Sequence, residues 1–238
     1  MGIFSGYYIA SDLDGTFLDR NSSEVKRNID KIKYFTANGG RFSFATGRIP
    51  AAVLSILPNC AEYVNFPVVT CTGMSFYDVS MKKAIYERCG DSDAITSLSK
   101  YLFDKYPHIA FRGIGDGEII SFQPDNRYIQ YEIKSKELPV RFVPLDMWYG
   151  EKFLKLTLRD ESDLLDKVKA EIEVEFEGVF ALFKSGDDLL EVQTAGYSKA
   201  IMLAGIKKRL LEKGEDVTLI CVGDHENDVE MLKAADPL

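Results

Sequence analysis

Two aspartates one residue apart, in Asp12-Leu13-Asp14-Gly15-Thr16, stand directly after an apolar run and directly before a glycine. At the end of a strand, carboxylates at i and i+2 can converge on one point as the chain turns. A hard cation such as Mg²⁺ takes oxygen ligands, commonly one or two protein carboxylates, and leaves its other positions to water and substrate phosphate. A carboxylate held beside that cation can attack phosphorus and form an aspartyl-phosphate. The second can protonate the leaving alkoxide and later deprotonate water. A turn with two solvated acids has the same composition, so the segment's placement has to decide between the two.

Three further polar clusters have comparable placement. Thr46-Gly47-Arg48 follows the strand-like run Arg41–Ala45, and a hydroxyl with backbone N–H groups at a helix start makes an anion site; a simple turn with a surface arginine is the bland alternative. Lys199, in Gly196-Tyr197-Ser198-Lys199-Ala200, begins a helical pattern. A cation there opposes the helix dipole and needs a compensating anion, a phosphate or a carboxylate. Asp224, in Gly223-Asp224-His225-Glu226-Asn227-Asp228, follows the apolar run Thr218–Val222 and offers a third oxygen ligand, although Asp224 or Asn227 could merely cap a helix. Four such clusters, each at a predicted strand end or helix opening, are hard to explain as four accidents.

The elements that must position them follow from periodicity. Tyr7–Ser11 reads as the first strand. Val25, Ile29 and Ile32 mark a helix that stops at Asn38-Gly39-Gly40, a helix-end signal. Arg41–Ala45 is a second strand, a helix starts near Pro50, and Val68–Cys71 is a third strand. At the other end Ser198–Lys213 is a helix, Thr218–Val222 a strand and His225–Ala235 a helix. This alternation predicts an α/β fold, a doubly wound parallel sheet with its ligand beyond the carboxyl ends of the strands. The middle differs: short strands (109–112, 118–122, 153–158, 179–183) mix with helices (92–105, 125–135, 161–173), and Gly113-Ile114-Gly115-Asp116-Gly117 reads as a hairpin turn. An inserted α+β domain at 81–187 is expected, with the core formed by 1–80 and 188–238.

Composition narrows the class. The 238 residues are 46% hydrophobic and 28% charged with a formal net charge of -8, ordinary for a globular domain and opposed to a nucleic-acid partner. No apolar run approaches the ~20 residues needed to cross a bilayer, and the first ten residues lack a secretory pattern, so a cytoplasmic protein without a membrane partner is expected. Cys60, Cys71, Cys89 and Cys221 form no CxxC pair and read as buried free thiols.

The order Asp-x-Asp-Gly-Thr, Thr-Gly-Arg, Lys, Gly-Asp-x-x-Asn-Asp resembles the haloacid dehalogenase (HAD) superfamily of phosphohydrolases. The insertion point makes it similar to the Cof-type sugar-phosphatase branch with its α+β cap. The resemblance spans nearly the whole chain. It implies a Rossmann-like core, Mg²⁺ as cofactor and a small phosphorylated metabolite, a sugar phosphate first, as substrate. It also implies Asp12 as nucleophile and metal ligand, Asp14 as general acid/base that also binds metal through its carbonyl, and Asp224 as the remaining acidic ligand. Thr46, Gly47, Arg48, Lys199 and Asn227 would surround the phosphate, with Asp228 orienting the lysine or a metal-bound water. The cap would act as a lid that excludes water and reads the leaving group, with Arg112, Arg127, Trp148 and Tyr149 as candidate readers. A monomer or weak homo-oligomer is expected. Two departures stand out: Thr72-Gly73-Met74 where the family often has Asn-Gly-Ala, and a chain reaching Leu238 where members usually continue with another strand and helix. A truncated or unusually short member is the matching expectation.

Other chemistries lack residues. No cysteine is followed six positions later by arginine, no Gly-Lys-Ser/Thr is present, and the two histidines, His108 and His225, do not suit a serine hydrolase. A phosphotransferase of the phosphomannomutase kind, passing the phosphoryl to a sugar, and a non-catalytic phospho-ligand binding module stay open beside the phosphatase.

Overall fold

The computed structural model describes residues 2–18, 22–115 and 117–237, without the side chains of Ser22 and Ser23. They form two compact units, Met1–Glu87 with Tyr197–Leu238, and Arg88–Gly196.

The first unit starts with β1 (Tyr7–Ser11), α1 (Ser22–Ala37), β2 (Arg41–Phe44), α2 (Pro50–Ile56), β3 (Val68–Thr70) and the hairpin β4 (Ser75–Asp78) and β5 (Lys83–Glu87). The second unit carries α3 (Ser92–Lys105), β6 (Ala110–Ile114), β7 (Ile119–Ser121), α4 (Arg127–Ser135), β8 (Val140–Phe142), α5 (Leu145–Trp148), β9 (Lys155–Arg159), α6 (Ser162–Glu175), β10 (Phe180–Lys184) and β11 (Leu189–Thr194). The chain then returns to the first unit with α7 (Lys199–Glu212), β12 (Thr218–Val222) and α8 (Val229–Lys233).

In the first unit β1 lies between β12 and β2, parallel to both, with Tyr8 opposite Leu219 and Arg41. β3 extends this order through a single parallel bridge, Ala45 to Val69. Successive strand residues point to opposite faces. Tyr8, Ala10 and Leu219 therefore pack with Leu203, Ile206 and Leu210 of α7 on one face, whereas Phe42 and Phe44 pack with Val53 and the apolar stripe of α1 on the other. Both faces are covered, as a parallel sheet requires. Fully buried Tyr8 satisfies its hydroxyl on Ser43 Oγ at 2.7 Å.

The second unit is a six-stranded sheet in the order β10-β11-β9-β6-β7-β8, antiparallel except for β7 with β8. Phe111, Leu156, Leu158, Leu190 and Val192 pack on α3 and α6. The alternate residues Arg112, Lys155, Thr157, Glu191 and Gln193 are polar and buried. Lys155 Nζ meets Glu191 at 2.6 Å, and Glu132 from α4 accepts from Arg159 at 2.5 Å and pairs with Arg112 at 3.2 Å.

Several expectations are corrected. The insertion runs 88–196 instead of 81–187. The hairpin of β4 and β5, which the sequence reading missed, pairs with β3 and stays in the first unit, while β11 pairs with β9 and β10 in the second. The turn between β6 and β7 forms as expected, with Asp116 outside the described residues. The final helix is a 3₁₀ turn (Glu226–Asp228) followed by the short α8. Trp148 is not an available reader: it is 1% exposed, with Phe153 and Phe122 ring centroids at 4.6 and 5.1 Å. Arg127 pairs with Glu161, and Lys100 lies over the Tyr149 ring. All four cysteines are free, but Cys89 is exposed.

Candidate active site

Every predicted cluster sits at the carboxyl end of a first-unit strand or the opening of a helix. β1 ends at Ser11 and β12 at Val222, and the Asp12 N–H donates to the Val222 carbonyl at 2.8 Å. The Ala45 N–H donates to Ser11 at 2.8 Å and the Thr46 N–H to Val69 at 2.9 Å. The parallel register thus brings the loops after β12, β1, β2 and β3 to one edge of the sheet.

At its centre, Lys199 Nζ donates to Asp12 Oδ1 at 2.5 Å and to Asp228 Oδ1 at 2.6 Å. Lys199 and Asp228 are fully buried and Asp12 is 5% exposed. The two carboxylates supply the compensation that a lysine at the first position of α7 needs against the helix dipole. Burial pushes the Asp12 carboxyl above its ordinary range; the charge and hydrogen bond of Lys199 pull it back, and Asp228 adds a smaller upward push. By formal charge, two acids and one lysine leave this buried group one negative charge in excess.

Asp228 also ties in the next loop, its Oδ2 accepting from the Asp224 and His225 N–H groups, both at 3.1 Å. The Asp224 carboxylate lies against the Asp12–Thr16 loop, where Oδ1 accepts from the Thr16 hydroxyl. Gly15, at φ +80°, leaves the room for it: a Cβ there would stand 2.5 Å from Asp224 Oδ2. His225 Nδ1 approaches that same Oδ2 at 2.7 Å.

Asp14 and Arg48 face one another, with the guanidinium donating to both carboxylate oxygens at 2.7 and 2.9 Å. In this arrangement the Asp14 carboxylate is directed to Arg48, half-exposed, and not to the buried lysine. Thr46 is buried, and its Oγ1 accepts from the Arg48 N–H at 3.1 Å, a bond that does not use the hydroxyl's own proton. Gly47 is half-buried between them. Asn227 is half-buried with Oδ1 wholly enclosed and without a hydrogen-bond partner among the described residues.

The residues fit a hard divalent cation. Asp12, Asp224 and the Asp14 carbonyl offer oxygen alone, the buried cluster is short of positive charge, and Asn227 Oδ1 is an unused buried acceptor. Asp224, His225 and Asp228 bring ligand atoms within 4.8 Å of one another. His225, which faces Asp224, and Thr16, beyond its place in the motif, have no role that the sequence makes legible. Both types are visible in the sequence, but the loop conformation that pairs them with Asp224 is not. Cys221, close enough to feel Asp228, is pushed up to about 11 chiefly by burial, so its thiol is protonated at neutral pH and no rival nucleophile.

Comparison with known proteins bears on this geometry. Residues 9–237 match the family model of haloacid dehalogenase-like hydrolases. A Streptococcus pyogenes serotype M6 protein whose name provisionally calls it a phosphatase is 24% identical over 227 residues, 94% of this chain and 83% of that protein. A Plasmodium vivax protein described provisionally as a HAD/COF-like hydrolase superposes with a TM-score of 0.80 at 22% identity, covering 96% of this chain and 82% of that one. The HAD subclass IIB sugar phosphatase BT4131 gives 0.74 at 17% identity, covering 96% and 85%. The structural likenesses, at these identities, speak for the fold.

Proposed function

The chain belongs to the haloacid dehalogenase-like hydrolases, and from that premise we propose that it is a phosphohydrolase of the Cof type, a Mg²⁺-dependent phosphatase that cleaves a small phosphorylated metabolite through a phosphoryl group carried on Asp12. The observation that carries this reading is the buried Asp12–Lys199–Asp228 group at the end of β1. An aspartate in contact with a lysine that a second acid anchors is a nucleophile beside a fixed positive charge.

Asp12 Oδ attacks phosphorus and the ester oxygen leaves with a proton from Asp14; Asp14 then removes a proton from water, which attacks the phosphoryl on Asp12. For this Asp14 releases Arg48, its present partner. Lys199 and the Thr46 hydroxyl hold the equatorial oxygens, where charge on the transferring group is offset. Gly47 and Asn227 border the same oxygens, and Asp228 keeps Lys199 in place. Asp12, the Asp14 carbonyl and Asp224 would hold Mg²⁺, which when bound would supply charge neutralisation at the phosphoryl oxygens. The sugar phosphatase BT4131 makes a sugar phosphate the first substrate class to test.

Asp12→Asn tests the reading. It is expected to abolish phosphate release from p-nitrophenyl phosphate while far-UV circular dichroism stays native. Turnover at the wild-type rate would remove Asp12 from the chemistry, and undiminished activity in EDTA would remove the metal.

A further inference from the structure

Thr46 and Lys199 come from distant parts of the chain, yet one short turn meets the backbone of both. Directly after β3, Cys71, Thr72 and Gly73 have φ of 51°, 51° and 95°. Three consecutive residues in the left-handed region, one of them β-branched, persist only where the surroundings hold them, and all three are buried. On one side the turn grips the phosphate loop: the Cys71 N–H donates to the Arg48 carbonyl at 2.9 Å and the Thr72 N–H to the Thr46 carbonyl at 3.0 Å. On the other side Gly73 lies against the start of α7. A Cβ on Gly73 would stand 2.2 Å from the Ser198 carbonyl oxygen and 3.1 Å from the Lys199 nitrogen. Ser198 is the N-cap of α7, its Oγ accepting from the Ile201 N–H at 3.1 Å, so the helix start cannot yield without losing its cap.

We propose that Cys71-Thr72-Gly73 is a spacer that sets the distance between the Thr46 loop and the root of Lys199, and that Gly73 is a positioning residue acting through Lys199. The inference rests on the phosphatase reading. Positive φ alone would ask only for a residue that tolerates it; backbone seated on backbone at Ser198 asks for the absence of a side chain. Any Cβ at position 73 displaces the first residue of α7, and with it the ammonium that spans Asp12 and Asp228.

The test compares Gly73→Ala, Lys199→Met and the double variant on p-nitrophenyl phosphate with Mg²⁺, with Gly214→Ala as control. Gly214 has φ +79° but nothing within 4 Å of an added Cβ, so it carries the same backbone strain without the contact. Gly73→Ala is expected to lower kcat about 10- to 100-fold, the scale of a misplaced catalytic group, whereas Gly214→Ala keeps wild-type kcat. Because Gly73 acts through Lys199, the alanine should change the residual kcat of Lys199→Met by less than about 3-fold, the mark of coupled sites. Equal factors in the two backgrounds, or wild-type kcat for Gly73→Ala, would overturn the spacer. Should Gly73→Ala not fold, Thr72→Gly, which adds no atom but frees the backbone at the middle of the spacer, replaces it. That variant should lower kcat only while Lys199 is present, and wild-type kcat for it would overturn the proposal equally. A wild-type chain without turnover would sink the phosphatase reading instead, so the two failures are distinct.

Discussion

Lys199 is a cation where local rules disfavour one, at the first residue of a helix and fully buried; Asp12 and Asp228 account for it. Removing one member of such a buried group is costly because the others are left uncompensated, which gives the motif residues a structural as well as a chemical hold on the site. Thr16 offers a cleaner probe, since it orients Asp224 from the partly exposed side. Groups that hydrogen-bond to a metal ligand commonly contribute 10- to 100-fold in affinity. Thr16→Val is therefore expected to raise the Mg²⁺ concentration for half-maximal activity about 10-fold, with little change in kcat at saturation. A magnesium titration checks this, and an unchanged midpoint would detach Asp224 from the metal.

Among the elements, β12 is the outermost described strand of the parallel sheet, and it feeds Asp224 into the site. Among the described residues, Asp236 binds its outer edge: the Asp236 N–H donates to the Leu219 carbonyl at 2.9 Å, Asp236 Oδ2 accepts from the Leu219 N–H at 2.7 Å, and Lys207 pairs with the same carboxylate. The hydrogen bond from Lys207, then that from Leu219, holds the Asp236 carboxyl below its ordinary range. A depressed folded-state value means that the contribution is complete above the ordinary carboxylate value of 3.8 and is lost as pH falls through the folded-state value. Asp236→Ala should cost about 1 kcal/mol at neutral pH, and denaturant melts should show the gap from wild type closing only below pH 3.8. The strands around the site were legible because apolar runs with period two and glycine punctuation dictate them: β1 and β12 fall where the sequence placed them. The hairpin of β4 and β5 was not, since its burial is partial and its pairing with β3 is a tertiary choice that Ser75–Glu87 alone do not encode. Trp148 shows the same limit. Its residue type suits a binding surface as well as a core, and only the packing of Phe111, Phe122 and Phe153 decides.

At the scale of the whole molecule, each unit has its own apolar core: Leu203 belongs to one and Trp148, the sole tryptophan, to the other. A unit with its own core can unfold in its own transition. Leu203→Ala should destabilise the first unit by about 3 kcal/mol, seen as an earlier far-UV circular dichroism transition, while Trp148 fluorescence keeps its midpoint. Coincident shifts of both probes would show that the two units unfold as one. With a net charge of -8 and more acids than cations at this edge of the sheet, an anionic substrate would depend on the added charge of a bound cation.

During turnover the phosphoryl group is expected to rest on Asp12. Rapid acid quench of the enzyme with p-nitrophenyl phosphate and Mg²⁺, followed by peptide mass mapping, tests it directly. A transient phosphoryl adduct is expected on the peptide containing Asp12, absent from Asp12→Asn and discharged by hydroxylamine. A phosphoryl group on any other residue, or turnover with no adduct at any quench time, would contradict it.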